Sequence, residues 1–170
     1  ANGSGAIVIS VEYRLAPEHR YPAGVEDAVA SVLWAAEHGA EIGGNPSKLA
    51  VAGDSAGGNL AAVAALRVRK TVGSALVAQA LLYPVADHGN LDVHPSRADH
   101  ADPFPIRKPL MAWFHNHYFG HDEPMMEPDA SPLHHSDLSE AAAAYVMTVG
   151  LDPLMDEGKA YADALQALGF

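Results

Sequence analysis

Leu49-Ala50-Val51-Ala52-Gly53-Asp54-Ser55-Ala56-Gly57-Gly58-Asn59-Leu60-Ala61-Ala62 reads as a buried strand, a tight turn and the opening of a helix. Residues 49–52 are an apolar run that stops at Gly53. Residues 57–66 continue with helical spacing at Leu60, Val63 and Ala64, and the basic group Arg67, Arg69, Lys70 suits a helix C-terminus. Ser55 falls on the turn. A serine held there has a strained backbone that presents its Oγ at the carboxyl end of a sheet. It needs very small neighbours two positions to either side, so that strand and helix can approach. Gly53 and Gly57 stand at those positions. Ser55 is then the candidate nucleophile, and the backbone N–H of Ala56, at the helix N-terminus, the candidate oxyanion donor. The competing reading is a glycine-rich turn whose serine is structural or holds an anion. No Gly-x-Gly-x-x-Gly or Walker pattern supports the phosphate version of it.

The fuller string Gly53-Asp54-Ser55-Ala56-Gly57-Gly58-Asn59-Leu60 closely resembles the elbow of the hormone-sensitive-lipase-like (Gly-Asp-x-Gly, bacterial family IV) esterases of the α/β-hydrolase fold. Three more blocks resemble that family, in its order. They are Val11-Glu12-Tyr13-Arg14-Leu15-Ala16-Pro17-Glu18-His19 with Tyr21-Pro22-Ala23, then Leu82-Tyr83-Pro84-Val85, then Gly150-Leu151-Asp152-Pro153-Leu154-Met155-Asp156-Glu157-Gly158. Residues 87–131 are the least family-like part. The resemblance implies a serine carboxylester hydrolase acting on small esters of short to medium acyl chains, with no cofactor. It also implies an internal ion pair between Glu12 and Arg14, and a pocket position for Tyr83, although an aromatic residue at a strand end is more often core.

Composition narrows the classes. The 170 residues carry 10 basic and 21 acidic side chains, a formal charge of −11, which disfavours binding to a phosphate backbone and so nucleic acid. There are no cysteines, so no disulfide, thiolate nucleophile or cysteine-based zinc site is available, and a cytoplasmic setting is permitted. The longest apolar runs have strand length, so no membrane span is expected.

In chain order, residues 6–11 form an apolar, β-branched run expected as a strand buried on both faces. Residues 14–22, with prolines at 17 and 22, form a connection. Val25, Ala28, Val29, Val32, Leu33 and Ala36 mark one face of a helix ending near Gly39. After the elbow come a strand over 75–82, an irregular Asp-, His- and Pro-rich stretch, a helix over 109–120, a strand over 144–149 and a helix over about 156–168. The expected fold is an α/β-hydrolase fold, a mostly parallel sheet with helices on both faces. Residues 1–170 read as a single partial domain, with 86–138 an excursion above the sheet.

Functional groups in such a fold collect beyond the carboxyl ends of the strands. Ser55 and Asp152 are both placed there, two strands apart. That is the interval between nucleophile and acid in the α/β-hydrolase arrangement, so Asp152 is the candidate acid that would orient a histidine. A plain helix-capping role is the alternative for Asp152, and Asp156, next to the helical run, fits that job better. The family's histidine would lie one helix and one strand further on, and its His-Gly-Gly-type oxyanion loop ahead of residues 6–11. The 170 residues therefore read as an internal fragment of a longer esterase, whose full-length form is open to homo-oligomer formation.

The histidines inside the chain fit the base role poorly. His19 belongs to a family block that is structural, His115 and His117 point to different helix faces, and His134-His135 read as a solvated turn. His88, His94 and His100 with Asp87, Asp92, Asp99 and Asp102 match no ligand spacing, so no metal is assigned and a polar lid is expected. Asp54 and Asn59 read as elbow supports, though a solvent-facing role is equally open for Asn59. Trp113, Phe114 and Tyr118 read as packing. Two other functions stay open: a non-catalytic, ligand-binding relative resembling the plant gibberellin receptors, and an amidase or peptidase on the same fold.

Overall fold

Three parallel strands, β1 (Leu49–Asp54), β2 (Leu76–Leu82) and β3 (Ala143–Met147), form one sheet in the order β1-β2-β3. They belong to a computed structural model that describes residues 1–89, 93–100, 107–139 and 141–169. Among the described residues five α-helices accompany them: α1 (Ala23–His38), α2 (Ala56–Val72), α3 (Pro95–Asp99), α4 (Lys108–Phe119) and α5 (Met155–Gln166). The expected helices coincide with α1, α2, α4 and α5 to within a turn. Gly120 stops α4 in the left-handed conformation (φ 85°), its N–H donating to the Asn116 carbonyl at 2.7 Å.

Register decides which side chains meet the helices. Val51 faces Gln79 and Gly53 faces Leu81 across β1 and β2, while Gln79 faces Ala144 and Leu81 faces Val146 across β2 and β3. On that face Leu81, Ala61, Ala62, Leu66, Tyr161 and Leu165 form a core between the sheet, α2 and α5. The helix α1 packs on the outside of α2, with Val32 against Ala64, Ala65 and Val68. Residues 58–66 of α2 are consequently buried all round, each large apolar side chain contributing about 1.5–3 kcal/mol.

The opposite face differs from the two-sided cover expected. Ala50, Ala52, Ala143 and Tyr145 are exposed and their β2 neighbours Ala78 and Ala80 half-buried, because α1 uses its apolar stripe on α2 and the other core helix also lies on the α2 side. The expected strand over residues 6–11 is likewise corrected: it has no ladder partner among the described residues, and Ile7, Val8, Ile9 and Val11 are exposed. A cavity of about 640 Å³ separates residues 8–11 from the edge of β1. An extended apolar run becomes a strand only where a neighbour takes its N–H and C=O groups.

The connection from β2 to β3 carries α3 and α4. It docks against residues 20–24, with the Tyr21 N–H donating to the Tyr118 carbonyl at 3.0 Å and the two rings in edge contact. Among the described residues no helix is long and apolar enough to cross a membrane.

Candidate active site

Ser55 stands between β1 and α2 with φ 53° and ψ −119°, the left-handed region that costs a non-glycine residue of order 1–3 kcal/mol. Its neighbours hold it there. The Ser55 N–H donates to the Leu82 carbonyl at 2.9 Å, and the Ser55 carbonyl accepts from the N–H groups of Asn59 at 3.1 Å and Val85 at 3.2 Å. A Cβ on Gly53 would collide with the Gly57 carbonyl, and one on Gly58 would lie 2.9 Å from the Pro84 Cβ. Gly57 is different. Its Cβ would meet nothing closer than the Asp54 carboxylate at 3.9 Å, so the steric demand expected at Gly57 falls on Gly58 instead.

Ser55 is half-buried and Ala56 exposed, and the Ser55 hydroxyl makes no capping bond to α2. The N–H groups of the first helical turn, Ala56 and Gly57 among them, therefore point out of the helix without intrahelical acceptors, beside a hydroxyl that has no partner among the described residues. Asp54 is exposed, with no side-chain hydrogen bond among the described residues. Asn59 is 2% exposed, and its Nδ2 donates to the carbonyls of Val85 at 2.8 Å and Ala130 at 2.7 Å. Of the two expected supports, the asparagine braces the elbow from below and the aspartate does not.

Tyr83 ends β2, between the other two sites. It has φ 38°, and its N–H donates to the Met147 carbonyl at 2.6 Å. It does not line the cavity that reaches Ser55, Ala56 and Gly57 along β1. Asp152 follows β3 in a turn: its N–H donates to the Val149 carbonyl at 3.2 Å, and its Oδ1 accepts the Leu154 N–H at 2.9 Å. The other carboxylate oxygen has no partner among the described residues. Ser55 and Asp152 follow strands β1 and β3 at the same sheet end, two strands apart in the order β1-β2-β3, and strands so placed run about 10 Å from one another at ordinary spacing. Asp156 does not cap its own helix as expected; its Oδ2 accepts the Ser96 N–H at 2.7 Å.

Beneath this edge lies a polar network that sequence reasoning missed. The Arg97 guanidinium pairs with Glu157, Nε to Oε2 at 2.7 Å, and its Nη2 donates to the Asp87 carbonyl at 2.7 Å. Glu157 Oε1 accepts the N–H groups of Ala86 at 3.0 Å and Asp87 at 3.3 Å. Burial pushes the Glu157 carboxyl up, to about 7, against the pull of Arg97 and those amides. The Asp87 carboxylate, 1% exposed, takes His94 Nε2 and His134 Nε2, each at 2.9 Å, and the Gly89 N–H. His134 is thus no solvated turn residue. Asp92 and Asp102, weighed with these histidines as ligands, lie outside the described residues.

Two further expectations are corrected. Arg14 pairs with Asp27 (Nη2 to Oδ1, 2.8 Å) and Glu26 (3.7 Å), not with Glu12, because its guanidinium reaches across to α1. Trp113 and Phe114 are each 52% exposed, whereas Tyr118 packs on Tyr21 and Phe119. His115 and His117 do diverge: His115 is buried on the Glu123 carbonyl, and His117 stacks on Trp113.

A strand, a strained serine turn and a helix on a parallel sheet define an α/β-hydrolase, and the chain belongs to that family: the alpha/beta hydrolase fold model matches residues 1–170. Among curated relatives it is 44% identical to "Carboxylesterase NlhH" of Mycobacterium tuberculosis over 99% of this chain and 53% of that protein. It is 33% identical to "Ethyl acetate hydrolase" of Pseudomonas putida over 99% and 53%. Among solved structures, a hyperthermophilic esterase from the archaeon Pyrobaculum calidifontis superposes with a TM-score of 0.90 at 43% identity, over 99% of this chain and 54% of the other. The hormone-sensitive-lipase-like resemblance is thereby met. The chain spans about half the length of the curated relatives it matches.

Proposed function

We propose that the full-length protein containing this chain hydrolyses small carboxylic esters by nucleophilic catalysis, with Ser55 attacking the ester carbonyl. The observation that carries this reading is the strained Ser55, its hydroxyl uncommitted to the helix and adjacent to the outward N–H of Ala56. In this reading Ala56 N–H stabilises the developing oxyanion. Asp152 uses its free carboxylate oxygen to hold a histidine in the tautomer that accepts the serine proton. That histidine lies outside residues 1–170, for which the twofold greater length of the relatives leaves room. Acyl transfer gives an acyl-enzyme with release of the alcohol, and water then releases the acid.

The relatives named as carboxylesterase and ethyl acetate hydrolase favour small esters over amides. The reading takes residues 1–170 as part of one domain. It includes a cytoplasmic setting, in keeping with a chain that has no cysteine to oxidise.

The test is Ser55→Ala in the full-length protein, assayed with p-nitrophenyl acetate and butyrate. A loss of 10⁴-fold or more in kcat with an unchanged melting temperature is expected. Activity within tenfold of the parent would overturn the nucleophile assignment. A full-length protein that binds the ester without turning it over, with or without Ser55, would instead select the ligand-binding alternative.

A further inference from the structure

We infer that Ser96 is a positioning residue for Asp152, fixing the turn that carries the carboxylate from 56 residues earlier in the chain. The inference rests on the reading of Asp152 as the acid of the site.

Among the described residues Asp152 makes short-range bonds alone. Its N–H goes back to Val149, its carbonyl accepts the Met155 N–H at 3.1 Å, and its Oδ1 accepts the Leu154 N–H. Such a turn rotates as a unit unless something outside it holds it. Ser96, 1% exposed, does so at two points. Its Oγ donates to the Pro153 carbonyl at 2.8 Å and accepts the Asp156 N–H at 3.1 Å, while its own N–H donates to Asp156 Oδ2 at 2.7 Å. The two anchor points bracket Leu154 and Met155 and begin at the residue after Asp152. One hydroxyl uses its single proton on one side and a lone pair on the other, so both bonds form together and set a direction as well as a distance.

The partner segment is itself immobilised. Arg97, next to Ser96, makes its buried pair with Glu157, the residue after Asp156. Two consecutive residues of α3 therefore grip two consecutive residues of α5. Glu157 also holds the backbone of Ala86 and Asp87, which continue from β2. The frame that fixes Asp152 is thus referred to the end of β2, the strand end whose Leu82 carbonyl and Val85 N–H fix Ser55. Ser96 is the link that ties the acid to the same frame as the serine. A misplacement of the order of 1 Å in such a constellation costs about 10²-fold in rate.

The experiment is a double-mutant cycle of Ser96→Ala and Asp152→Asn in the full-length protein, with kcat and KM measured on p-nitrophenyl acetate and folding checked by circular dichroism. Ser96→Ala alone is expected to lower kcat by about 10- to 10²-fold with KM changed less than threefold. In the Asp152→Asn background it is expected to lower kcat by less than twofold, since there is no productive carboxylate left to misplace. The same fold-loss in both backgrounds, or no loss in either, overturns the inference while leaving the acid assignment standing. An Asp152→Asn enzyme with parental kcat overturns the acid reading itself, and the positioning role with it. If Ser96→Ala does not fold, Asp156→Ala carries the same cycle, because it removes only the bond from a half-exposed side chain. The expected loss is then about threefold to tenfold, confined to the Asp152 background.

Discussion

Ser55 and Val85 are joined across the carboxyl end of the sheet: the Val85 N–H donates to the Ser55 carbonyl at 3.2 Å, while the Ser55 N–H donates to the Leu82 carbonyl at 2.9 Å. The elbow is therefore clamped from both sides by the exit of the neighbouring strand. Its unfavourable φ is maintained by the chain that leaves β2, through Tyr83, which also has a positive φ (38°). Strain at one strand end is shared by two adjacent ones.

The glycines of the elbow are expected to respond unequally. Gly53→Ala drives a methyl into the Gly57 carbonyl, where backbone must move, and should cost several kcal/mol or prevent folding. Gly57→Ala adds a methyl in open space on a helix and should raise stability by up to about 1 kcal/mol. Thermal melts of the two variants check this; equal destabilisation would contradict the geometry.

Asn59→Leu should destabilise by about 2–4 kcal/mol. It leaves the Val85 and Ala130 carbonyls without their amide donors at a site 2% exposed. Denaturant titration measures it, and a change below about 0.5 kcal/mol would show that the amide is not a brace.

Glu157→Gln is expected to cost about 3–5 kcal/mol, because it strands the Arg97 guanidinium in a buried site. Replacing both, with Arg97→Met and Glu157→Leu, should recover much of that loss by removing the uncompensated charge. A double variant as unstable as the single one would mean that the pair is needed for shape rather than charge.

Acidification should act on stability through opposed groups: the native state gains from the Glu157 carboxyl, raised to about 7, as pH falls below neutrality, and loses through His88 and Asp87. Burial holds the His88 imidazole down, to about 3, with His115 and Arg97 adding repulsion and Asp87 opposing them. Asp87, which burial alone would raise, is held below the usual carboxylate range by His94, His134 and the Gly89 N–H. Both groups bind a proton more readily when unfolded, so the His88 contribution is complete above about pH 6.5 and is lost as pH falls from there towards 3, and the Asp87 contribution is lost only at the acid end. His88→Phe, placed among the rings of His115, Tyr118 and Phe119, should gain melting temperature relative to the parent as pH falls from 6.5 to 4. An unchanged slope would contradict the buried neutral imidazole.

The parts legible in the sequence were those with local signals. Four helices follow from 3.6-residue periodicity, the Gly120 stop from glycine's access to the left-handed region, and the elbow from a serine flanked by glycine. The five-residue α3 holds too few positions to display a period, so Ser96 and Arg97 stayed hidden. Arg97–Glu157 and Ser96–Asp156 each join residues 60 apart, and Asp87 gathers His94 and His134 from two separate segments. Nothing local announces such pairs. Residues 6–11 mislead for the opposite reason, since their composition specifies an extended chain but not a neighbour to pair with.

Covalent labelling of the full-length protein with a fluorophosphonate, located by mass spectrometry, tests the central claim most directly. The account predicts one equivalent of phosphonyl adduct on the Oγ of Ser55, loss of ester hydrolysis in step with labelling, and no adduct in Ser55→Ala. An adduct on another residue, with hydrolysis preserved in Ser55→Ala, would contradict it.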